Sequence, residues 1–391
     1  MDRAFGIEEE FLLLDARSGL PVDRAAEVIR AVPELGRLAE REFLASQLEV
    51  ATPVCRTAAA AEEFLAGFRT AAADAAERCG AVLASTGLAP FGGAASGAVT
   101  PKPRYLRIRA EMREVAAHQF MVGTHVHVEV PSREAGVDAL ARLARWMPVL
   151  LAMTANSPLW CGAATGFASW RHIRGLAWPT AGYPPAFPDG AAYSDGVAEL
   201  IDAGVLIDAG HLTWTARLSE RYPTIELRIA DAQLDHRDSV AFAVIVRALV
   251  ERALRALAAG AARPRCAPAL VDGASWLAAR DGLGAMLVDP STGIAAPARV
   301  RLVELFDEIS EELERFGDRE RATAYLARLR RTGSPAERQL GAFRSGGAQA
   351  LLRLYASAAR IPFAAPLGVA PPLAPPRGAE ATGLARRLDP A

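Results

Sequence analysis

The sequence predicts an α+β fold in which helices pack on one face of a mostly antiparallel sheet. Strand-like segments with alternating apolar and polar residues dominate the first two-thirds of the chain. Helical patterns dominate the last third, from about residue 237 onward. A region rich in strands followed by a run of helices is typical of α+β architecture.

Individual elements follow from hydrophobic periodicity and from turn residues. The predicted strands are Ala4–Asp15, Glu42–Ala51, Ala81–Thr86, Gln119–Val130, Leu212–Ser219 and Thr224–Ala230. The predicted helices of this region are Arg24–Val32, Thr57–Cys79, Tyr105–Ala117 and one that Ser132 caps. Asn156–Pro188 is dense in Gly, Pro, Ser, Trp and Arg, so we predict a long functional loop. Residues 1–361 then form one domain, and 362–391 form a tail rich in proline and alanine.

Composition excludes several classes of protein. Of the 391 residues, 51% are hydrophobic and 23% charged, as in globular proteins. The net charge of −1 argues against non-specific nucleic-acid binding, which needs a basic surface. The four cysteines form no CxxC pair, which argues against a disulfide framework or a zinc site. With no signal-peptide pattern and no apolar run of membrane-spanning length, we expect a cytoplasmic protein.

One face of the predicted sheet collects charged side chains in four separate strands. Successive strand residues point to opposite faces, and in each of these strands the aliphatic residues share the other face. If the strands lie in one sheet, the residues that converge are Glu8, Glu10, Glu49, His125 and Glu226. Carboxylates so close repel unless a cation lies between them, and such sites suit Mg²⁺ or Mn²⁺ that also bridges phosphates.

Other interpretations of the same residues stay open. Each glutamate alone is typical of a solvated surface, and His125 and His127 could be ordinary cross-strand polar residues. An HxH pair can also mark a zinc hydrolase. In barrel hydrolases that pair ends the first strand, whereas here it lies in mid-chain after two acidic strands.

Several motifs occur in the same order in a known family. They are Gly6-Ile7-Glu8-Glu9-Glu10-Phe11, Gly123-Thr124-His125-Val126-His127-Val128, Asn156-Ser157-Pro158, Thr165-Gly166-Phe167-Ala168-Ser169 and Tyr222-Pro223-Thr224-Ile225-Glu226-Leu227-Arg228. Arg331-Thr332-Gly333, followed by Ala336-Glu337-Arg338-Gln339, is similar to the family's C-terminal signature. Over roughly residues 4 to 345 the chain resembles the bacterial carboxylate–amine ligases, often called glutamate–cysteine ligase type 2.

The resemblance implies a fold and a metal site. The fold is that of the glutamine synthetase catalytic domain, with a curved antiparallel sheet. Metals that bridge the phosphates of ATP are held in this family by residues that match five positions here, and these are Glu8, Glu10, Glu49, His125 and Glu226. The alternation of the strands gathers the same five positions.

The implied reaction activates a carboxylate with ATP and joins it to an amine through an acyl phosphate. Arg228, on the same strand face as Glu226, is the first candidate for a phosphate contact. Arg171 and Arg217 are the next candidates, for phosphate or for the substrate carboxylate, and a surface or loop-tethering role is their alternative.

The motifs indicate the activation chemistry more directly than they indicate the substrates. The family name suggests glutamate and cysteine, but Ala163 and Ala164 stand where many members carry a charged Arg-Asp pair. The alternative functions are a phosphotransferase of related fold, a non-catalytic ATP-binding homologue and a metal hydrolase that acts without ATP. A homo-oligomer is left open.

Overall fold

A computed structural model describes residues 3–32, 35–93 and 95–363. Within these residues the largest sheet has seven strands, which are β1 (Phe5–Asp15), β2 (Ala39–Arg41), β3 (Gln47–Ala51), β4 (Ala81–Ala84), β5 (Gly123–Glu129), β8 (Ala216–Leu218) and β9 (Thr224–Asp231). Their order is β2-β3-β1-β5-β9-β8, and β4 pairs with the C-terminal end of β1. All the pairs are antiparallel. Two small hairpins pair β6 (Leu159–Trp160) with β7 (Ala163–Ala164), and β10 (Met286–Val288) with β11 (Ala295–Pro297).

Helices surround this sheet. In the first half they are α1 (Ala25–Ala31), α2 (Ala58–Arg78), α3 (Pro103–Ala117), α4 (Arg133–Leu143), α5 (Met147–Thr154), α6 (Trp170–Gly175) and α7 (Gly190–Asp202). In the second half they are α8 (His236–Ala258), α9 (Pro268–Asp281), α10 (Ala298–Glu308), α11 (Ser310–Phe316), α12 (Arg319–Thr332) and α13 (Pro335–Ala358). The predicted α+β class with a mostly antiparallel sheet is confirmed.

The aliphatic face of the sheet forms the main core. Phe11, Leu48, Val126 and Leu227, one from each central strand, are buried in a single apolar cluster that also includes α2 and α8 residues. The alternation of apolar residues in the sequence predicts this face correctly. Strand side chains alternate with a period of two, so the pattern of apolar residues determines which of them face the core.

A buried ion pair crosses this main core. Glu9 accepts hydrogen bonds from Arg69 of α2 at 2.8 and 2.6 Å, and Ser239 of α8 donates to the same carboxylate. Both charged side chains are only 1% exposed. Glu9 therefore binds the helix layer to β1, whereas its neighbours in the sequence face the opposite side.

The opposite face is polar over only half of β1. Leu12 and Leu14 lie on the same side as the neighbouring glutamates, but they are buried in a second apolar cluster with Leu351 and Tyr355 of α13. Helix α13 thus covers one end of this face, in addition to the main helix layer on the other side. The polar half lies beyond that cover.

Four segments differ from the sequence-based prediction. The predicted strand Glu42–Ala51 is interrupted, since only Gln47–Ala51 is extended and a separate strand covers Ala39–Arg41. Gln47 causes the break: its side chain accepts from Leu44 N at 2.9 Å and closes a turn. The predicted loop Asn156–Pro188 contains α6 and the β6–β7 hairpin, the helical last third contains the β10–β11 hairpin, and the strand predicted at Leu212–Ser219 is confined to Ala216–Leu218.

Two further expectations concern the ends of the chain and membranes. Apart from its first two residues, the predicted tail 362–391 lies outside the described residues. Among the helices that the structure describes, none combines the length and the apolar character needed to cross a membrane.

Candidate metal and substrate site

Glu8 lies between two histidines on the polar face. The β1–β5 register places it directly opposite His125 and beside the pair of Gly6 with His127. Its carboxylate oxygens lie 3.3 Å from His125 Nδ1 and 3.3 Å from His127 Nε2. Burial opposes ionisation, yet hydrogen bonds from both imidazoles lower the pKa of Glu8 far below its usual range. The carboxylate is thus held ionised, as a metal ligand must be.

His125 is poised as a neutral ligand. It is buried, and burial together with the nearby Arg228 guanidinium lowers its pKa to about 4. Its Nε2 atom is buried and has no hydrogen-bond partner within the part of the chain that the structure describes. A neutral imidazole with an unpaired nitrogen suits metal coordination.

Glu226 lies between two arginines on β8 and β9. Arg217 donates to it from Nε at 2.6 Å and from Nη2 at 3.3 Å, and Arg228 donates from Nη1. Burial would raise the pKa of Glu226, but Arg228 and Arg217 keep it well below its usual range. Arg228 also lies 3.3 Å from His125 Nδ1, which joins this pair to the Glu8 group.

Three further carboxylates crowd the neighbouring strands. Glu10 and Glu49 are directly paired across β1 and β3. Burial and the charge of Glu42 raise the pKa of Glu10 to about 7, and burial, Glu42 and Glu10 raise that of Glu49. Among the described residues, no arginine, lysine or histidine lies within ion-pair distance of Glu42 or Glu49. Mutual repulsion of this kind is relieved by a bound cation.

The ligand atoms form two candidate metal groups. Glu8, His127 and Glu226 make one, and Glu8, Glu49 and His125 make the other, with the donor atoms of each group within 4.8 Å of one another. The two groups share Glu8. Oxygen and imidazole donors at this spacing fit divalent cations such as Mg²⁺ or Mn²⁺.

The structure brings four of the five predicted ligands into these groups. The exception is Glu10, whose carboxylate accepts from Gly123 N at 2.6 Å and lies 3.9 Å from His125 Nε2. His127 joins the site, and the alternation that selected His125 already indicated it.

Glu42 is a site residue that the sequence prediction missed. As part of a continuous strand Glu42–Ala51 it would face the aliphatic side, with Leu48 and Val50. The turn that precedes β3 rotates it to the polar side, where Tyr105 donates to it at 2.9 Å. No pattern in the sequence revealed that turn.

A cavity of about 200 Å³ adjoins the polar face at the Glu10 end. Glu10, His125 and Arg228 lie on its border with the metal groups, and Glu42, Arg171 and Trp178 line its remaining walls. The cavity contains neither Glu8 nor Glu226 in its lining, so it lies beside the candidate metal groups rather than over them.

The three predicted arginines occupy different positions. Arg228 and Arg171 line the cavity. Arg217 does not; besides Glu226 it binds the carbonyls of Gly210 at 3.2 Å and Leu212 at 2.7 Å. With four of its five N–H groups engaged in this way, Arg217 orients Glu226 and has one N–H group left for any phosphate contact.

A family model described as glutamate-cysteine ligase family 2 matches residues 4–357. The chain belongs to this family. The resemblance noted in the sequence motifs is thereby confirmed, and the chain is a member of a ligase family.

Named relatives are similar over most of the chain. A protein of Salinispora arenicola (strain CNS-205) named "Putative glutamate--cysteine ligase 2" is 42% identical over 335 residues, which are 85% of this chain and 88% of the relative. A protein of Mycobacterium sp. (strain KMS) with the corresponding name is 39% identical over 348 residues, 88% of this chain and 94% of the relative.

Solved structures agree on the fold. The glutamate–cysteine ligase of Francisella tularensis, solved in complex with AMP, matches with a TM-score of 0.67 at 13% identity and covers 93% of this chain and 90% of that one. A bifunctional glutathione synthetase from Pasteurella multocida matches with a TM-score of 0.61 at 15% identity, over 91% of this chain and 52% of that one. At these identities the likeness concerns the fold alone.

The loop that the sequence predicts to depart from the family pattern forms a hairpin. Its Ala163 and Ala164 form β7 and are exposed. They contact β6 through the pairs with Leu159 and Trp160. Their side chains do not line the cavity.

Proposed function

We propose that the chain is an ATP-dependent carboxylate–amine ligase that forms an amide through an acyl phosphate. The observation that carries this proposal is the position of Arg228, which contacts Glu226 and His125 of the metal groups and also lines the adjacent cavity. An arginine at that border can neutralise charge on a phosphoryl group as it passes from one side to the other.

Two regions of the polar face would hold the two kinds of ligand. Glu8, Glu49, His125, His127 and Glu226 would hold Mg²⁺, which when bound screens the phosphate charges of ATP and aligns them. We further propose that Glu10 and Glu42 extend this set, because Glu10 lies directly opposite Glu49 and no arginine, lysine or histidine among the described residues lies within ion-pair distance of Glu42 or Glu49. The cavity would hold the organic acid, with its carboxylate toward Arg228 and Arg171.

The reaction follows in two balanced steps. A carboxylate oxygen attacks the γ-phosphorus of ATP, the bond to the β-phosphate oxygen breaks, and ADP leaves. The amine nitrogen then attacks the acyl carbon, inorganic phosphate leaves, and the nitrogen loses a proton to form the amide. Arg228 and Arg171 stabilise the transferred charge in both steps.

The acid and the amine are proposed from the names of the relatives. Glutamate and cysteine are the first pair to test, and amines of other shapes follow because the loop with Ala163 and Ala164 differs from the usual family pattern. The cytoplasmic location expected from the sequence stays a prediction.

The experiment is an ADP-release assay with Mg²⁺ over a matrix of acids and amines, with the product identified by mass spectrometry. Amide formed in equal amount to ADP supports the ligase. ADP formed with an acid alone, together with a stable phosphorylated product, indicates a phosphotransferase. Hydrolysis of an amide or ester without ATP indicates a metal hydrolase, and tight ATP binding without turnover indicates a non-catalytic homologue.

A further inference from the structure

Asp231 is a buried carboxylate at the end of β9 that the reaction outlined above does not use. It is fully buried. Oδ2 accepts from Asn156 N and from Ser157 Oγ, each at 2.7 Å, and Oδ1 accepts from Ser169 Oγ at 2.9 Å. One carboxylate thus holds both ends of the segment that connects α5 to α6.

Both serine hydroxyls connect Asp231 to the first turn of α6. Because each hydroxyl donates its proton to Asp231, its lone pairs face the helix. Ser157 Oγ accepts from Arg171 N at 3.0 Å, and Ser169 Oγ accepts from His172 N at 3.3 Å. The orientation of these two backbone N–H groups therefore depends on Asp231, whose ionised carboxylate accepts both serine protons.

The side chain of Arg171 occupies a narrow slot above the sheet. Its guanidinium donates to the carbonyls of Arg228 at 3.2 Å and Ile229 at 3.4 Å. A Cβ at Gly123 would lie 2.4 Å from Arg171 Nη2, so a larger residue there would displace the guanidinium. Arg171 lines the cavity from this position, so its contacts with α6 and with β9 together set where its charge lies.

The segment that contains Gly87 leaves space for the buried carboxylate of Asp231. A Cβ at Gly87 would lie 2.5 Å from Asp231 Cγ, so the glycine leaves room for the carboxylate. Burial raises the pKa of Asp231, which opposes its ionisation, whereas Arg171 at 3.7 Å and the hydroxyls favour it. A group that is costly to bury and is bound by four separate partners has a defined position.

We propose that Asp231 is a positioning residue, which sets Arg171 against Arg228 at the cavity through Ser157 and Ser169. The proposal rests on the ligase function, because it assigns Arg171 to the acid substrate. Asp231 itself touches neither substrate nor metal groups.

The test compares Asp231→Asn, Arg171→Ala and the double variant in steady-state assays. An asparagine keeps the shape of the side chain but replaces one acceptor oxygen with an N–H donor. One serine hydroxyl would then lose its acceptor and reorient, which weakens its hydrogen bond with the α6 backbone N–H. We expect kcat/KM for the acid to fall on the order of 100-fold, the scale of a misplaced contact, with KM for Mg²⁺-ATP unchanged. The double variant should be no worse than Arg171→Ala, since both changes act through one guanidinium.

Two further measurements separate positioning from folding. Hydrogen exchange at the amides of Arg171 and His172 should accelerate in Asp231→Asn and in the milder Ser157→Ala. Asp238→Asn, which removes another buried carboxylate away from the cavity, should lower the melting temperature without changing KM for the acid.

Three results decide the matter. Independent, multiplicative losses in the double variant would overturn the positioning role, as would unchanged exchange at Arg171 and His172. If wild-type protein forms no amide with any pair of substrates, the ligase proposal fails, while the exchange experiment still tests the link from Asp231 to Arg171.

Discussion

Glu10 and Glu49 face each other across the β1–β3 ladder, where burial and the charges of Glu42 and Glu10 raise the pKa of Glu49. Two carboxyl groups in this relationship destabilise the metal-free protein when both are ionised. A cation placed between them and their neighbour Glu42 would reverse that effect.

The carboxyl group of Glu10 should contribute stability to the metal-free protein that is lost as pH rises. The pKa of Glu10 is about 7 in the folded chain against 4.5 for an ordinary glutamate, so its stabilising protonation is complete at low pH. Unfolding favours the ionised form, and stability is lost as pH rises from about 4.5 through about 7. Thermal melts in EDTA should show this loss as a difference between wild type and Glu10→Gln, because that difference cancels the opposite contribution of buried histidines such as His125. Mg²⁺ should reduce the difference because a cation favours the carboxylates.

Glu10→Gln provides the control for that pH dependence. Without the Glu10 carboxyl group, the melting temperature in EDTA should fall less, or rise more, than that of wild type between pH 5 and pH 8, roughly the window of the linkage. An equal slope in Glu10→Gln and wild type would show that the pH dependence arises elsewhere.

Glu8→Gln and Glu9→Gln form a matched pair on one strand. Glu8 faces the metal groups, so its loss should lower kcat roughly 100-fold or more while the protein stays folded. Glu9 faces the core, so its loss leaves Arg69 buried without a counter-charge and should cost about 3–5 kcal/mol of unfolding free energy. Urea unfolding and turnover assays separate the two effects, and a reversed pattern would contradict the assignment of faces.

The two arginines at Glu226 should behave differently. Arg217→Lys loses the fork that binds Glu226 and two carbonyls, which should cost roughly 2 kcal/mol of stability. Arg228→Lys should instead lower kcat with a smaller effect on stability, because Arg228 also faces the cavity. Equal losses of stability and turnover in the two variants would argue against separate roles.

Gly123→Ala should displace Arg171. The added Cβ would lie 2.4 Å from Nη2 of Arg171 and 3.1 Å from the carbonyl oxygen of Ala230, so the guanidinium must leave its slot. KM for the acid should rise, as measured by ADP release at saturating ATP. Gly67→Ala is the control, since nothing lies within 4 Å of its Cβ position in α2 and alanine favours the helix.

Much of the candidate site could be predicted because strand residues alternate. Glu8, Glu49, His125 and Glu226 each lie in a segment that is truly extended, so the side of the sheet followed from parity alone. Glu226 differs from the mutually repelling carboxylates that the sequence predicts, because its two arginine partners make it a paired charge.

The remaining parts depend on tertiary contacts that local patterns do not encode. The turn that moves Glu42 to the polar side depends on Gln47, which also donates to the carbonyls of Gln119 and Met121. The link from Asp231 to Ser157 and Ser169 joins segments that only the folded chain brings together.

The central claim is that a carboxylate is activated by ATP at a Mg²⁺ site on the polar face of the sheet. Positional isotope exchange tests it most directly, with ATP that carries ¹⁸O in the β–γ bridge, an acid and Mg²⁺, but no amine. We expect ¹⁸O to move into non-bridging positions of the β-phosphate only when the acid is present. We expect Glu8→Gln to abolish the exchange. A second experiment follows the carboxylate oxygen itself. It uses acid labelled with ¹⁸O in its carboxylate, together with ATP, Mg²⁺ and the amine. Transfer of that label to inorganic phosphate is the predicted result, and amide formation with no label in the phosphate would contradict the account.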